Sequence, residues 1–221
     1  MKRLSEGRQR LRREAELDDF KLPAIPDHQA PAKALAITCS ESPVLSAFVA
    51  SLDPLCILQN LGGTLPTTQS LDDPNYRDND VGWGTVAYAL GQMGLRQVVL
   101  CGHFECCIAA GRQAENGAPP APEFSVRNDT QLAEQLVVAS KLPASKRASQ
   151  LWLVEQFLRM DAYLAHRSGH WGADVSMHAL WFDEDQHQVF AYSRDQRQFV
   201  LMDRRDFERL FKVLRADREK V

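Results

Sequence analysis

Gln97-Val98-Val99-Leu100-Cys101-Gly102-His103-Phe104-Glu105-Cys106 begins as a short apolar run and ends, through a glycine, on a histidine and a cysteine three positions apart. The apolar part reads as a parallel strand covered on both faces, since such strands lack the polar alternate positions of a half-exposed one. Gly102 permits a tight exit from that strand. The i, i+3 spacing puts the side chains of His103 and Cys106 on one side of a turn. Two similar runs precede it: Ala34-Leu35-Ala36-Ile37-Thr38, which leads into Cys39, and Leu55-Cys56-Ile57-Leu58-Gln59. A helix-like segment over 44–52 separates the first two runs, and a helical pattern over about 83–93 separates the second from the third. The order strand, helix, strand, helix, strand requires crossovers, so the fold class is α/β with a mainly parallel sheet.

Cys39 and the His103/Cys106 pair therefore stand at the carboxyl ends of two strands, where open α/β sheets place their sites. Two thiolates and one imidazole fill three corners of a zinc tetrahedron and leave the fourth for water or a carboxylate. Glu41, two residues after Cys39, is the carboxylate at hand. Cys39 and His103 are 64 residues apart, so they share a metal only if the fold makes their strand ends neighbours. Taken alone, H-x-x-C is a weak signal, because a histidine at a strand end is more often a hydrogen-bonded structural residue.

With 221 residues, 44% of them hydrophobic, the chain is long enough for one substantial core. The expected organisation is an N-terminal helical arm and linker over 1–29, followed by a single domain over 30–221. A formal charge of −3 gives no overall basic field for nucleic acid or membrane surfaces. No run approaches the roughly 18 apolar residues of a spanning helix, and Met1-Lys2-Arg3-Leu4-Ser5-Glu6 lacks a signal-peptide core. Five cysteines, with Cys106 and Cys107 adjacent, suit thiolates in a reducing compartment rather than a disulfide framework. A soluble, cytoplasmic protein is expected. No phosphate-binding glycine motif is present, and the four tryptophans are dispersed, so the nucleotide and nucleic-acid readings have little support.

The first 21 residues are dense in charge and are stopped by Pro23 and Pro26, which reads as a helical arm docking on a partner subunit. A long polar loop runs from Gly62-Gly63 to Asp80, and loops of that size are often functional or interfacial. A break follows at 116–122. Helices are expected near 130–140 and 149–165, strand-like runs over 175–182, 188–192 and 199–202, and a charged helix over 205–219.

Four blocks resemble, in order and spacing, those of the β-class carbonic anhydrases. They are Cys39-Ser40-Glu41-Ser42-Pro43, Leu55-Cys56-Ile57-Leu58-Gln59-Asn60-Leu61-Gly62-Gly63, Gly84-Thr85-Val86-Ala87-Tyr88-Ala89-Leu90, and Val98-Val99-Leu100-Cys101-Gly102-His103-Phe104-Glu105-Cys106. The family pattern reads C-S-D-S-R, a strand ending R-N-x-x-N, a helix with S-x-x-Y-A-V, and a strand ending C-G-H-x-x-C-G. Met177-His178-Ala179-Leu180-Trp181-Phe182-Asp183 is similar to its late L-H-G-W-x-x-D strand. The resemblance covers about 30–202. It implies zinc on Cys39, His103 and Cys106, and reversible hydration of CO2 to bicarbonate. It also implies a mainly parallel four-stranded sheet with an antiparallel edge strand, helices on both faces, and homodimers or dimers of dimers in which the arm grips the neighbour. Tyr88 keeps the family type at a pocket or interface position. Gln29 resembles a polar pocket residue.

The departures are as informative. In the family the Asp of C-S-D-S-R is held off the metal by the Arg two residues later; here those positions are Glu41 and Pro43. A carboxylate without its guanidinium and one methylene longer is an ordinary zinc ligand, which predicts Glu41 as a possible fourth ligand and weak or absent turnover. Arg77 and Arg112 are the cations that would replace the lost one. Cys56 stands where the family is usually aromatic, which predicts a wider pocket. Three functions follow: a carbonic anhydrase with Glu41 in the orienting role, a zinc hydrolase of another small carbonyl or CO2-like substrate, or a silent zinc-binding homologue capped by Glu41.

Overall fold

The computed structural model describes residues 32–51, 55–66, 81–111, 144–167 and 175–216. The apolar runs become six strands: β1 (Ala34–Cys39), β2 (Leu55–Asn60), β3 (Gln97–His103), β4 (Ser176–Asp183), β5 (Gln188–Ser193) and β6 (Gln198–Leu201). They form one sheet in the order β2-β1-β3-β4-β5-β6. The first four are parallel neighbours, and β5 and β6 are added antiparallel. The antiparallel edge is thus a two-strand ribbon, to which the run around Phe199 contributes the outer strand. Its tight turns are closed by His187 and Arg197, both with left-handed φ values of 51° and 52°.

Among the described residues five α-helices accompany the sheet: α1 (Pro43–Ser51), α2 (Val81–Ala87, running on into a π-helical turn Tyr88–Gln92), α3 (Cys107–Gly111), α4 (Ala144–His166) and α5 (Arg204–Ala216). The strands sort their side chains by the two-residue period of a pleated sheet. Leu35, Ile37, Val98, Leu100, Ala179 and Trp181 face α2 and α4, where Trp83 stacks on Tyr163 with centroids 4.1 Å apart. Val99, Cys101, Leu180 and Phe182 face α1, α3 and α5, and Phe48 packs on Phe182 at 4.8 Å and on Phe207 at 5.7 Å. Both faces being covered explains why β1 is buried throughout.

Starting from β1, the chain adds β2 on one side and then crosses to add β3 on the other, so the order reverses between β1 and β3. Thr38 pairs with Cys101. Cys39 and His103 therefore leave the sheet at adjacent strand ends, at the switch point that favours a site. No helix among the described residues is long and apolar enough to cross a membrane. The arm over 1–29, the loop from residue 67 to 80, the break at 116–122 and the helix expected near 130–140 lie outside the described residues.

Candidate metal centre

Cys39 ends β1, and the chain turns at once into α1. Ser42 makes that turn possible: its Oγ accepts the Leu45 N–H at 2.9 Å, the arrangement of a helix N-cap. Pro43 is then the first helical residue, where the missing N–H would have had no intrahelical acceptor and the fixed φ is already helical. The residue that replaces the family's arginine is thus locally well placed, but it presents no charge to Glu41. The Ser42 hydroxyl also donates to the Glu184 carboxylate beyond β4. Gln59 donates to Ser46 Oγ at 3.1 Å.

On the other side of the switch point, Phe104 and Glu105 make the turn that brings Cys106 back beside His103. Phe104 N–H donates to Phe182 O at 2.9 Å, tying the turn to β4, and Glu105 takes a left-handed φ of 59°. A non-glycine residue there is uncommon and marks a turn fixed by its surroundings. One ligand atom each from Cys39, Glu41, His103 and Cys106 lies within 4.8 Å of the others. Glu41 Oε2 is 3.7 Å from Cys39 Sγ and 4.0 Å from His103 Nε2. A zinc tetrahedron of sulfur, nitrogen and oxygen ligands has edges of roughly 3.3–3.8 Å, so a small contraction closes the set around one ion.

The electrostatics suit a cation. His103 is buried and its Nε2 has no hydrogen-bond partner, which would be costly without a ligand for that atom. The Cys39 thiol is brought down to about 5, first by the hydrogen bond from Cys106 and, against burial, by His103 and by the N–H groups of Glu41 and Gly62. The latter two lie 3.5 and 3.1 Å from the sulfur. Sharing with Cys39, reinforced by burial, pushes the Cys106 thiol up. Burial works against the His103 charge, yet the Cys39 thiolate and the Glu184 carboxylate nearby raise it overall. For Glu41 burial acts upward, but the Cys107 thiol and N–H outweigh it and hold the carboxyl below its ordinary value. The Cys107 N–H donates to Glu41 Oε2 at 3.0 Å.

Among the described residues Glu41 has no Arg or Lys partner. Arg77, Arg112 and Gln29 lie outside them. Cys56 pairs with Leu35, four positions back from the Cys39–Asn60 pair; at ~3.3 Å per residue it is ~13 Å from the strand ends. Its thiol is raised by burial, as is that of the fully buried Cys101, pushed up to about 12. Tyr88 lies on the π-helical turn, 60% exposed. Cys56 is not among the clustered ligand residues. His178 donates from Nε2 to Gln97 Oε1 at 3.1 Å, in a structural role.

Two contributors were not read from the sequence. The Cys107 backbone clasps Glu41, and the Gly62 backbone reaches Cys39. The Gly62-Gly63 pair was the one sequence signal pointing to the second: Gly62 has φ +74°, and a Cβ there would come within 3.0 Å of the Ile108 side chain.

No protein-family model matches the chain, and no curated protein matches it. Solved structures do. The chain is similar to the β-carbonic anhydrase CcaA, with 22% identity, coverage of 94% of this chain and 96% of that one, and a TM-score of 0.57. It is similar to a tetrameric β-carbonic anhydrase of the filamentous ascomycete Sordaria macrospora, at 15% identity over 86% and 97% of the two chains and a TM-score of 0.53. A variant of the β-carbonic anhydrase CafD of the filamentous fungus Aspergillus fumigatus gives 22% identity, 76% and 93% coverage and a TM-score of 0.50. At such identities the likeness establishes a shared fold.

Proposed function

We propose, from the premise that the chain has a β-carbonic anhydrase-like fold, that it is a zinc-dependent protein of carbonic anhydrase type, interconverting CO2 and bicarbonate at the Cys39/His103/Cys106 centre. The observation that carries this reading is the convergence of those three ligand atoms at the switch point, with the Nε2 of His103 buried and unpartnered. Zinc held there would supply Lewis acidity, the means by which such sites ionise water near neutral pH. Cys39 and Cys106 would hold the metal as thiolates and His103 through Nε2. Residues of the fold implied to pair with a second copy would complete a homodimer, in a cytoplasmic, reducing setting that keeps the thiols free.

Glu41 decides how fast the centre turns over. Its Oε2 is anchored by the Cys107 N–H within reach of the metal position, and no guanidinium among the described residues draws it away. A carboxylate in that place favours a capped centre and slow hydration, which is the second reading: a zinc-binding homologue of low activity. Because its carboxyl is held below the ordinary value, Glu41 stays ionised throughout the pH range 6.5–9 tested below and is not the group that titrates there.

Stopped-flow CO2 hydration at pH 6.5–9 tests both readings, with roughly that span chosen to bracket metal-assisted water ionisation near pH 7. Turnover is expected to be low at the acid end and to rise toward the alkaline end. Glu41→Asp combined with Pro43→Arg is expected to raise kcat/KM about tenfold or more, ~1.4 kcal/mol of barrier. Activity absent from both proteins at every pH would leave the capped, non-catalytic reading. A double variant no faster than an active parent would show that the missing clamp is not what slows the site.

A further inference from the structure

We infer that Trp152 is a positioning residue for the metal centre: its indole N–H, bonded to the Gly62 carbonyl, holds the Gly62 amide on the Cys39 sulfur. The inference rests on the metal reading of that cluster and concerns a residue 113 positions from Cys39 in sequence. Trp152 Nε1 donates to Gly62 O at 2.7 Å, and the same residue's N–H donates to Cys39 Sγ at 3.1 Å. Trp152 is buried in the cluster that contains Cys39 and Cys106.

The loop that carries Gly62 is bonded to α4 at two further points. Leu65 N–H donates to Gln156 Oε1 at 2.8 Å, and Arg159 donates to Leu65 O at 2.6 Å. Trp152, Gln156 and Arg159 recur at the i, i+4, i+7 spacing that lines one face of a helix, so a single helical stripe clamps 62–65. Asn60 closes the loop from within, accepting from Thr64 N–H at 2.7 Å and donating to Thr64 O at 2.9 Å. The positive φ of Gly62 and the closeness of Ile108, two residues past Cys106, leave no room for a side chain. Gly62 is thus wedged between the helix behind one sulfur ligand and the strand that ends in the other.

An N–H bonded to a thiolate stabilises its charge and moderates what it gives a metal, and outer partners of ligands typically change metal affinity 10–100-fold when lost. Trp152→Phe keeps the aromatic bulk and removes the donor. Its cobalt-substituted form is expected to show the sulfur-to-cobalt charge-transfer band shifted to lower energy, and zinc affinity by chelator competition is expected to fall about tenfold. Leu95→Ala, a buried core change at the opposite end of β3, serves as a destabilised control and is expected to leave the band in place. A Trp152→Phe protein with the parent's band and affinity would overturn the inference, as would an equal shift in the Leu95 variant. A parent protein that gives no sulfur-to-cobalt band would instead remove the metal reading on which both stand.

Discussion

At the scale of single residues, the two candidate sulfur ligands are not equivalent, and this has a measurable consequence. Cys39 is ionised above about pH 5, while Cys106 keeps its proton through the bond it shares with Cys39. His103, raised by the Cys39 charge, holds its proton more readily than a free imidazole and loses it as pH rises. Zinc takes all three groups deprotonated. Binding should therefore release about one proton near pH 9, from Cys106, and a number climbing toward about two as pH falls and His103 becomes charged. Titration calorimetry in buffers of different ionisation enthalpy reads that count. Two independent thiols of ordinary pKa ~8.5 would release only about half a proton near pH 9, and that result would contradict the shared-proton arrangement. The members of the cluster were legible in the sequence, because His103 and Cys106 are three apart and Glu41 is two from Cys39. The left-handed Glu105 and the Cys107 N–H on Glu41 were not, since no glycine marks the first and the second joins residues 66 apart.

At the scale of elements, α4 is the member that ties the sheet to the loop behind the centre. Its hydrophobic residues were legible as a helix, but its polar stripe was not, because Arg159, Gln156 and Trp152 find their partners 90 or more residues away. Arg159 is 0% exposed and pairs with Glu155, 2% exposed, at 2.5 Å one helical turn back. Removing one partner of a buried pair leaves an uncompensated charge. Arg159→Met should therefore lower unfolding free energy by about 3 kcal/mol or more in denaturant titration, and adding Glu155→Leu should recover much of that loss. A single variant within ~1 kcal/mol of the parent would show that the pair contributes little to holding the loop. The short α1 illustrates the reverse case: Pro43 read from sequence as a departure from a clamp, and the structure makes it the first helical position behind the Ser42 N-cap.

At the scale of the whole molecule, the strand order was legible in outline, since apolar runs alternating with helical patterns demand crossovers and a parallel sheet. An antiparallel edge strand was implied by the resemblance; that the edge is a ribbon of two was not, because pairing direction depends on the turns at 184–187 and 194–197 rather than on hydrophobicity. What no local pattern could supply was the adjacency of β1 and β3, which closes a gap of 64 residues and assembles the centre. That assembly is the central claim, and X-ray absorption at the zinc edge of the purified protein, with metal content measured on the same sample, tests it most directly. The proposed centre predicts about one zinc per chain, with two sulfur neighbours at ~2.3 Å and nitrogen or oxygen neighbours at ~2.0–2.1 Å. Protein without stoichiometric zinc, or zinc with no sulfur in its first shell, would contradict it.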